Sequence, residues 1–423
     1  MIKVGSLILI IVFVGCSAKS GSDKAIQTDS VPIEQKDSVL KNDIPLYANL
    51  SIQVGAEKIS DYLPMLENKR IAIVGNQSSI VNGVHLVDTL FALNVKIKRI
   101  FSPEHGFRGD ADAGEKVDND VDSKTGLPIV SLYGKNKKPY KSQLTDVDII
   151  LFDIQDVGVR FYTYISTLHL VMEAAAENGI KVIVLDRPNP NGHYVAGPVL
   201  DLKFESFIGK HTVPVVHGMT VGEYAQMING ESWLPNKMQC ELTVVACSGW
   251  DHNKFYELPI APSPNLPNME SIYLYPSLCF FEGTEVSIGR GTDWPFQVIG
   301  HPDLKSVDEW NKFNFIPAPN FGAKNPKLNG KECFGIDLHE RDIVSLRQGG
   351  LDLSFLLDVY NSMPNKEAFF LNNGFINLLA GSDQLKKQIE ANKTIAEIEA
   401  TWQDGIAKFR DIRQKYLLYS DFK

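Results

Sequence analysis

Five short apolar runs, each closing on a polar loop, decide what this chain can fold into. They lie at 69–75 (KRIAIVG), 95–101 (VKIKRIF), 127–133 (LPIVSLY), 147–152 (VDIILF) and 181–185 (KVIVL). Between the first two, Val84, Val87, Leu90 and Phe91 mark one face of a helix. After the fourth, Ile165, Leu168, Met172 and Ala175 mark another, which stops at Asn178-Gly179 as helix C-caps do. Strands alternating with helices mean βαβ units and a parallel sheet. The expected fold class is therefore α/β, with a Rossmann-like parallel-sheet domain.

In such a sheet all strand C-termini share one edge, and ligands bind along it. The polar loops after runs one, two, four and five then converge on one cleft. They carry Gln77, Glu104, His105, Asp153, Asp156, Arg160, Tyr162, Arg187 and Asn189. The most pointed of these loops is SPEHGFRG at 102–109. Pro103 cannot continue a central strand, and Glu104 and His105 stand side by side before Gly106 turns the chain. A carboxylic acid and an imidazole at a strand exit are suited to proton transfer. A surface glutamate in a polar turn is the plain alternative, and the three companion loops weigh against it. From 108 to 125 the chain is dense in Asp, Glu and Gly, an excursion that suits a lid or wall.

Several functions are excluded by what is missing. No Gly-x-Gly-x-x-Gly follows the first run, and neither a phosphate-binding Gly-Lys-Ser/Thr loop nor His-Glu-x-x-His occurs. No cofactor and no metal are expected. A net charge of -9, without a basic aromatic stripe, excludes nucleic acid as a partner. Thr220 and Glu223 have capping-box spacing, which explains that glutamate without catalysis.

A chain of 423 residues is too long for one ordinary core. The proline-rich stretch 262–268 (PSPNLPN) marks the junction, giving a Rossmann-like domain over 48–264 and a smaller α+β domain over 265–423. In the second, Glu282 and Arg290 flank glycines in a loop built for close backbone approach. A structural salt bridge from Arg290 to a carboxylate is an equal alternative to ligand binding. Residues 333–338 suit a strand, and 395–418 one amphipathic helix with a solvated face. Cys240, Cys247, Cys279 and Cys333 fit no zinc spacing; buried free thiols are expected, with a Cys240–Cys247 bridge left open.

The N-terminus has export character. Lys3 precedes an apolar run from Val4 to Val14, too short to remain as a membrane span, and Gly15-Cys16 follows. The pattern resembles a bacterial lipoprotein signal over 1–16 with lipid on Cys16, although Phe13 stands where leucine is usual. An ordinary signal peptide with an incidental cysteine is the alternative. Residues 17–47, rich in Ser, Lys, Asp and Gln, suit a flexible tether. The expectation is an exported lipoprotein, membrane-anchored through its lipid and facing the periplasm or cell surface.

Taken together, SPEHGFRG at 102–109, DIQDVGVRFYTY at 153–164, DRPNPNG at 186–192, and FEGT at 281–284 with GRGT at 289–292 resemble the NamZ-type exo-β-N-acetylmuramidases. The resemblance spans roughly 50–423 with the motifs in order; Glu285 departs from an asparagine frequent in that loop. It implies a Rossmann-like domain, a smaller C-terminal domain and an active site between them. It implies hydrolysis of terminal β-linked N-acetylmuramic acid from the non-reducing end of peptidoglycan fragments, with Glu104 as the acid. Peptidoglycan fragments are then the partner.

The residues suit that chemistry. Glycoside cleavage needs one carboxylic acid for the leaving oxygen and a second group at the anomeric carbon. His105, Asp153 and Glu282 join Glu104 as catalytic candidates. N-acetylmuramic acid carries a lactyl carboxylate, which a planar guanidinium matches, so Arg160 and Arg290 are candidates for that contact. Two other classes compete. One is a non-catalytic periplasmic binding protein, which has no need of clustered acids. The other is a metal-dependent hydrolase built on Glu104, His105, Asp110 and Asp112.

Overall fold

The computed structural model describes residues 52–104, 106–109 and 120–422. Cys16, the 17–47 tether, His105, Asp110 and Asp112 lie outside the described residues.

The five apolar runs form β1 (Arg70–Gly75), β4 (Lys96–Ser102), β6 (Pro128–Ser131), β7 (Ile149–Asp153) and β8 (Lys181–Leu185). Two short strands, β2 (Ile80–Val81) and β3 (Val84–His85), make a hairpin after β1. Two more strands complete the main sheet: β5 (Asp120–Val121) at one edge and β9 (Leu242–Val245) at the other. The sheet order is β5-β6-β4-β1-β7-β8-β9, parallel throughout except for β5. Taking the parallel strands alone, the chain runs outward from β1 through β4 to β6, returns to β1's other side at β7, and continues outward. This is the doubly wound order, and its switch point lies beside β1. Gly75 and Asp153 pair in register there, so the loops leaving β1 and β7 start side by side.

Alternation along β1 sends its side chains into two apolar layers. Ile71 and Ile73 pack with Tyr62 and Leu66 of α1 (Ile59–Leu66) and Leu90 of α2 (Leu86–Ala92). Ala72 and Val74 face the layer holding α4 (Tyr164–Asn178) and α5 (Val221–Gly230). Helix α4 ends where Gly179 takes a left-handed conformation, φ 65°. A short helix α3 (Lys141–Leu144) precedes β7.

The C-terminal part opens with α6 (Met269–Leu278) and an antiparallel sheet ordered β10-β12-β11, from β10 (Val298–His301), β11 (Phe313–Phe315) and β12 (Cys333–Asp337). Helices α7 (Ile343–Gly349), α8 (Ser354–Ser362), α9 (Phe375–Ala380), α10 (Gln384–Glu390), α11 (Ile395–Ala400) and α12 (Gln403–Arg413) follow. The second apolar layer continues into this part through Leu353, Leu356, Phe369 and Ile406, without a seam at 264/265. The described residues fall within one compact unit.

The single helix expected over 395–418 is instead α11 and α12, broken at Thr401-Trp402. Trp402 turns inward and is 7% exposed, which a continuous solvated face would forbid. The excursion over 108–125 ends in regular structure, as β5 on the sheet edge. All four cysteines are free and buried, so Cys240 and Cys247 are not bridged.

Candidate active site

Glu104 follows β4 at the C-terminal edge of the sheet, half-buried, after the turn at Pro103. It lines a cavity of about 120 Å³ with Tyr162, Tyr164, Tyr275, Asn265 and Arg290. Burial pushes the hydroxyls of all three tyrosines up, so the phenols remain neutral donors. Tyr133, just beyond β6, shares a hydrogen bond with Glu104. Burial, followed by that carboxylate's charge, pushes Tyr133 up to about 12. A carboxyl ringed by phenols and one guanidinium can exchange a proton in a site with little bulk water.

The walls are set by hydrogen bonds converging on one carbonyl. The amide of Asn76, just after β1, donates to the Tyr164 hydroxyl at 2.9 Å. Tyr164 and Tyr162 donate to the Pro262 carbonyl at 3.3 and 2.9 Å. Gln77 reaches the same stretch, donating to the carbonyls of Pro262 at 3.0 Å and Ala261 at 3.3 Å. The segment expected only to join two domains is thus pinned over the sheet edge, and it supplies Ser263 and Asn265 to the cavity.

Arg290 comes from the other side. Gly289 and Gly291 flank it with φ of 79° and 84°. A Cβ on either would lie 2.3 Å from the Trp294 carbonyl or 2.6 Å from that of Ala318, so the expected close backbone approach is present. Its guanidinium donates to Glu282 at 3.0 Å, and both are only part-buried. Arg290 also forms the wall of a second cavity of about 670 Å³, lined further by Glu282, Lys324 and Lys327. Salt bridge and cavity wall therefore coexist in one residue.

Other sequence candidates stand behind the cleft. Arg160 is fully buried and donates to three backbone carbonyls: Pro198 at 2.8 Å, Val213 at 2.7 Å and Leu379 at 2.9 Å. It cannot meet a substrate carboxylate, and the expectation that it does is corrected. Its fork is consumed in joining the sheet layer to α9, with burial lowering it to about 9. Asp153 and Arg187 form a bidentate pair at 2.6 and 3.0 Å, 0% and 3% exposed in their side chains. Arg187 makes a third bond, from the same Nη2, to the Ile80 carbonyl. Neither lines a cavity described above, so the structure does not bring the catalytic candidate Asp153 or the binding candidate Arg187 to the one that holds Glu104.

Asn189 is buried, donating to the Met219 carbonyl at 2.9 Å and accepting from the Asn191 amide at 2.8 Å. It shapes the turn after β8 and lines neither cavity. Asp156 is buried too, and one oxygen accepts from the Gly158 amide at 2.7 Å. It does not line either cavity. Glu223 is the expected cap, with Thr220 as its partner. Of the sequence candidates, the cleft therefore gathers Glu104, Tyr162, Glu282 and Arg290, with Gln77 bracing its wall. It adds Tyr133, Tyr164, Ser263, Asn265, Tyr275 and Lys327. Asn265 had a signal, a polar residue held between two prolines, and so had Tyr164, which closes the DIQDVGVRFYTY motif; Tyr133 and Tyr275 had none.

Comparison with known proteins agrees with this geometry. The N-terminal family model of the exo-beta-N-acetylmuramidase NamZ matches residues 71–270, and its C-terminal model matches 273–419. The peptidoglycan beta-N-acetylmuramidase NamZ of Bacillus subtilis (strain 168) is 38% identical over 383 residues, 87% of this chain and 91% of that protein. A crystal structure of a DUF1343 family protein from Bacteroides fragilis NCTC 9343, at 1.30 Å resolution, has 46% identity and a TM-score of 0.81, covering 88% of this chain and 99% of that one. A second from the same organism, at 1.65 Å, has 30% identity and a TM-score of 0.74, with the same coverage. With both halves matched and the Glu104 loop, the tyrosine wall and the Arg290 loop meeting in one cleft, this chain belongs to the NamZ exo-β-N-acetylmuramidase family.

Proposed function

We propose that the protein is an exo-acting glycosidase that releases terminal β-linked N-acetylmuramic acid from the non-reducing end of peptidoglycan fragments, in cell-wall turnover or recycling. The observation that carries the reading is Glu104 in a tyrosine-walled cavity shared with Arg290. Glu104 is the general acid for the glycosidic oxygen. Arg290 meets the lactyl carboxylate, a group that N-acetylglucosamine lacks. The narrow cavity suits a single terminal sugar ring.

The test is turnover of a natural disaccharide and of a nitrophenyl N-acetylmuramide by Glu104→Gln. The amide keeps shape but cannot give up the proton, so the disaccharide should slow by roughly 10²–10⁴-fold. Nitrophenolate departs without protonation and should lose much less. Equal losses on both, in a folded protein, would remove Glu104 from the acid role.

The proposal includes location. A short apolar run from Val4 to Val14, followed by Gly15-Cys16, supports export as a lipoprotein held to a membrane by lipid on that cysteine and facing the periplasm or cell surface. Among the described residues no helix is long and apolar enough to cross a membrane. Cys16→Ser should move the protein from the membrane fraction to the soluble one with its specific activity intact; retention in the membrane would contradict the anchor.

A further inference from the structure

The larger cavity has no role in the chemistry derived so far. Arg290 is its wall towards Glu104, and beyond it lie about 670 Å³, far more than a lactyl carboxylate fills. On a chain of net charge -9, this lining presents three cations, Arg290, Lys324 and Lys327, against the single carboxylate of Glu282. Glu285 stands near Lys327 but outside the lining.

Lys327 is held in place from below. Its ammonium donates to the Phe281 carbonyl at 2.9 Å and to that of Thr284. Those carbonyls bracket Glu282, so one cation fixes the turn that carries Arg290's partner. An ammonium has three donors, and two carbonyls leave one for a ligand. Burial lowers its proton affinity, and a ligand carboxylate would raise it again. The remaining lining mixes the amides of Asn325 and Asn373 with the apolar surface of Phe375. Amides and an aromatic ring would serve a sugar or a peptide alike, and the excess of cations is what favours a short acidic peptide over a second, neutral sugar.

The chemistry of the substrate explains why two cation positions are needed. A peptide joined to the lactyl group by an amide removes the carboxylate beside Arg290. It brings new carboxylates several bonds further out, where only a second cation can meet them.

We propose that this cavity is a subsite for the acidic peptide carried on the lactyl group of the terminal sugar, with Lys327 as the cation that determines its acceptance. The proposal rests on the muramidase reading above. The enzyme then works at chain ends whose peptides have not yet been removed, ahead of the amidase class of reaction instead of strictly after it.

Two nitrophenyl glycosides test it: the β-N-acetylmuramide, and the same sugar with L-alanyl-D-isoglutamate on its lactyl group. The wild-type protein should cleave both, with kcat/KM values within about tenfold of each other. Lys327→Met should lower kcat/KM for the peptide-bearing substrate about ten- to hundredfold more than for the bare one, as loss of a charged hydrogen bond does. The exposed Lys324→Met, which carries little risk of misfolding, should shift the same ratio in the same direction but less. If the bare sugar is cleaved and the peptide-bearing one is not, the subsite is overturned. Equal slowing of both by Lys327→Met, with no change in ratio for Lys324→Met, reduces Lys327 to a structural brace and also overturns it. Failure to cleave either substrate would instead strike the muramidase reading.

Discussion

Asp156 and Glu104 are both acids on loops leaving the sheet edge, and burial separates them: Asp156 is fully buried and Glu104 half-buried at the cavity. One Asp156 oxygen has the Gly158 amide and the other has no partner, and burial pushes the carboxyl up to about 7. The sign follows from linkage. The folded value lies above the unfolded one of 3.8, so the folded state holds the proton more tightly. Stability is therefore greatest below the unfolded value and falls as pH rises from about 4 to about 7, by on the order of 4 kcal/mol. Asp156→Asn removes that titration. Its melting temperature should gain steadily on the wild type across this window and run parallel above it; profiles parallel throughout would place the titration elsewhere. At this scale sequence was a fair guide to residue type and a poor one to direction. Glu104 was legible because proline ends its strand and glycine turns the chain after it. Arg160 was not, since a guanidinium whose two Nη atoms are held by three backbone carbonyls looks, in sequence, like one awaiting a carboxylate.

At the scale of elements, the strands were legible wherever both faces are covered. β8 coincides with its apolar run, and β1, β4, β6 and β7 fall within a residue or two of theirs. β1, β7 and β8 are apolar and buried along nearly their whole length, whereas β4 carries Lys96, Lys98 and Arg99 in its first half and is fully buried only from Ile100 to Ser102. β9 escaped notice because three of its four residues are only half-buried, at the sheet's edge. The terminal helix misled for a related reason. The charge pattern is real on either side, but Ala400 to Gln403 carries no charge, and a helical wheel does not register the two-residue turn that falls there. The proline-rich segment at 262–268 was visible as a break in texture. Its work in the fold, accepting hydrogen bonds from Gln77, Tyr162 and Tyr164 and offering Asn265 to the cleft, depends on the sheet edge beneath it. That edge exists only once residues far apart in sequence have assembled.

For the whole molecule, the question is whether the two architectural parts are also two cooperative units. The C-terminal residues return to the first sheet after α12. The Leu418 amide donates to Glu223 at 2.9 Å, and the Tyr419 hydroxyl donates to the buried carboxylate of Asp186 at 2.6 Å while accepting from the Cys247 amide at 2.8 Å. Arg413, 2% exposed, donates to the Gly218 carbonyl and pairs with Asp421 at 2.7 Å. Asp186 is thus satisfied partly by the far end of the chain, yet burial still holds it up at about 6. Unfolding the C-terminal part first would expose that carboxylate's pocket and strip one apolar layer from the sheet. Neither part can open alone at low cost, so calorimetry should show the folded unit melting in one transition. Tyr419→Phe keeps the ring and removes one donor from a buried carboxylate, a loss of about 1–3 kcal/mol. Because the layers share their core, that loss should lower the single transition as a whole and leave it single. Two resolved transitions in the wild type, or a Tyr419→Phe protein in which only a part of the signal moves, would show that the strap joins two independent units.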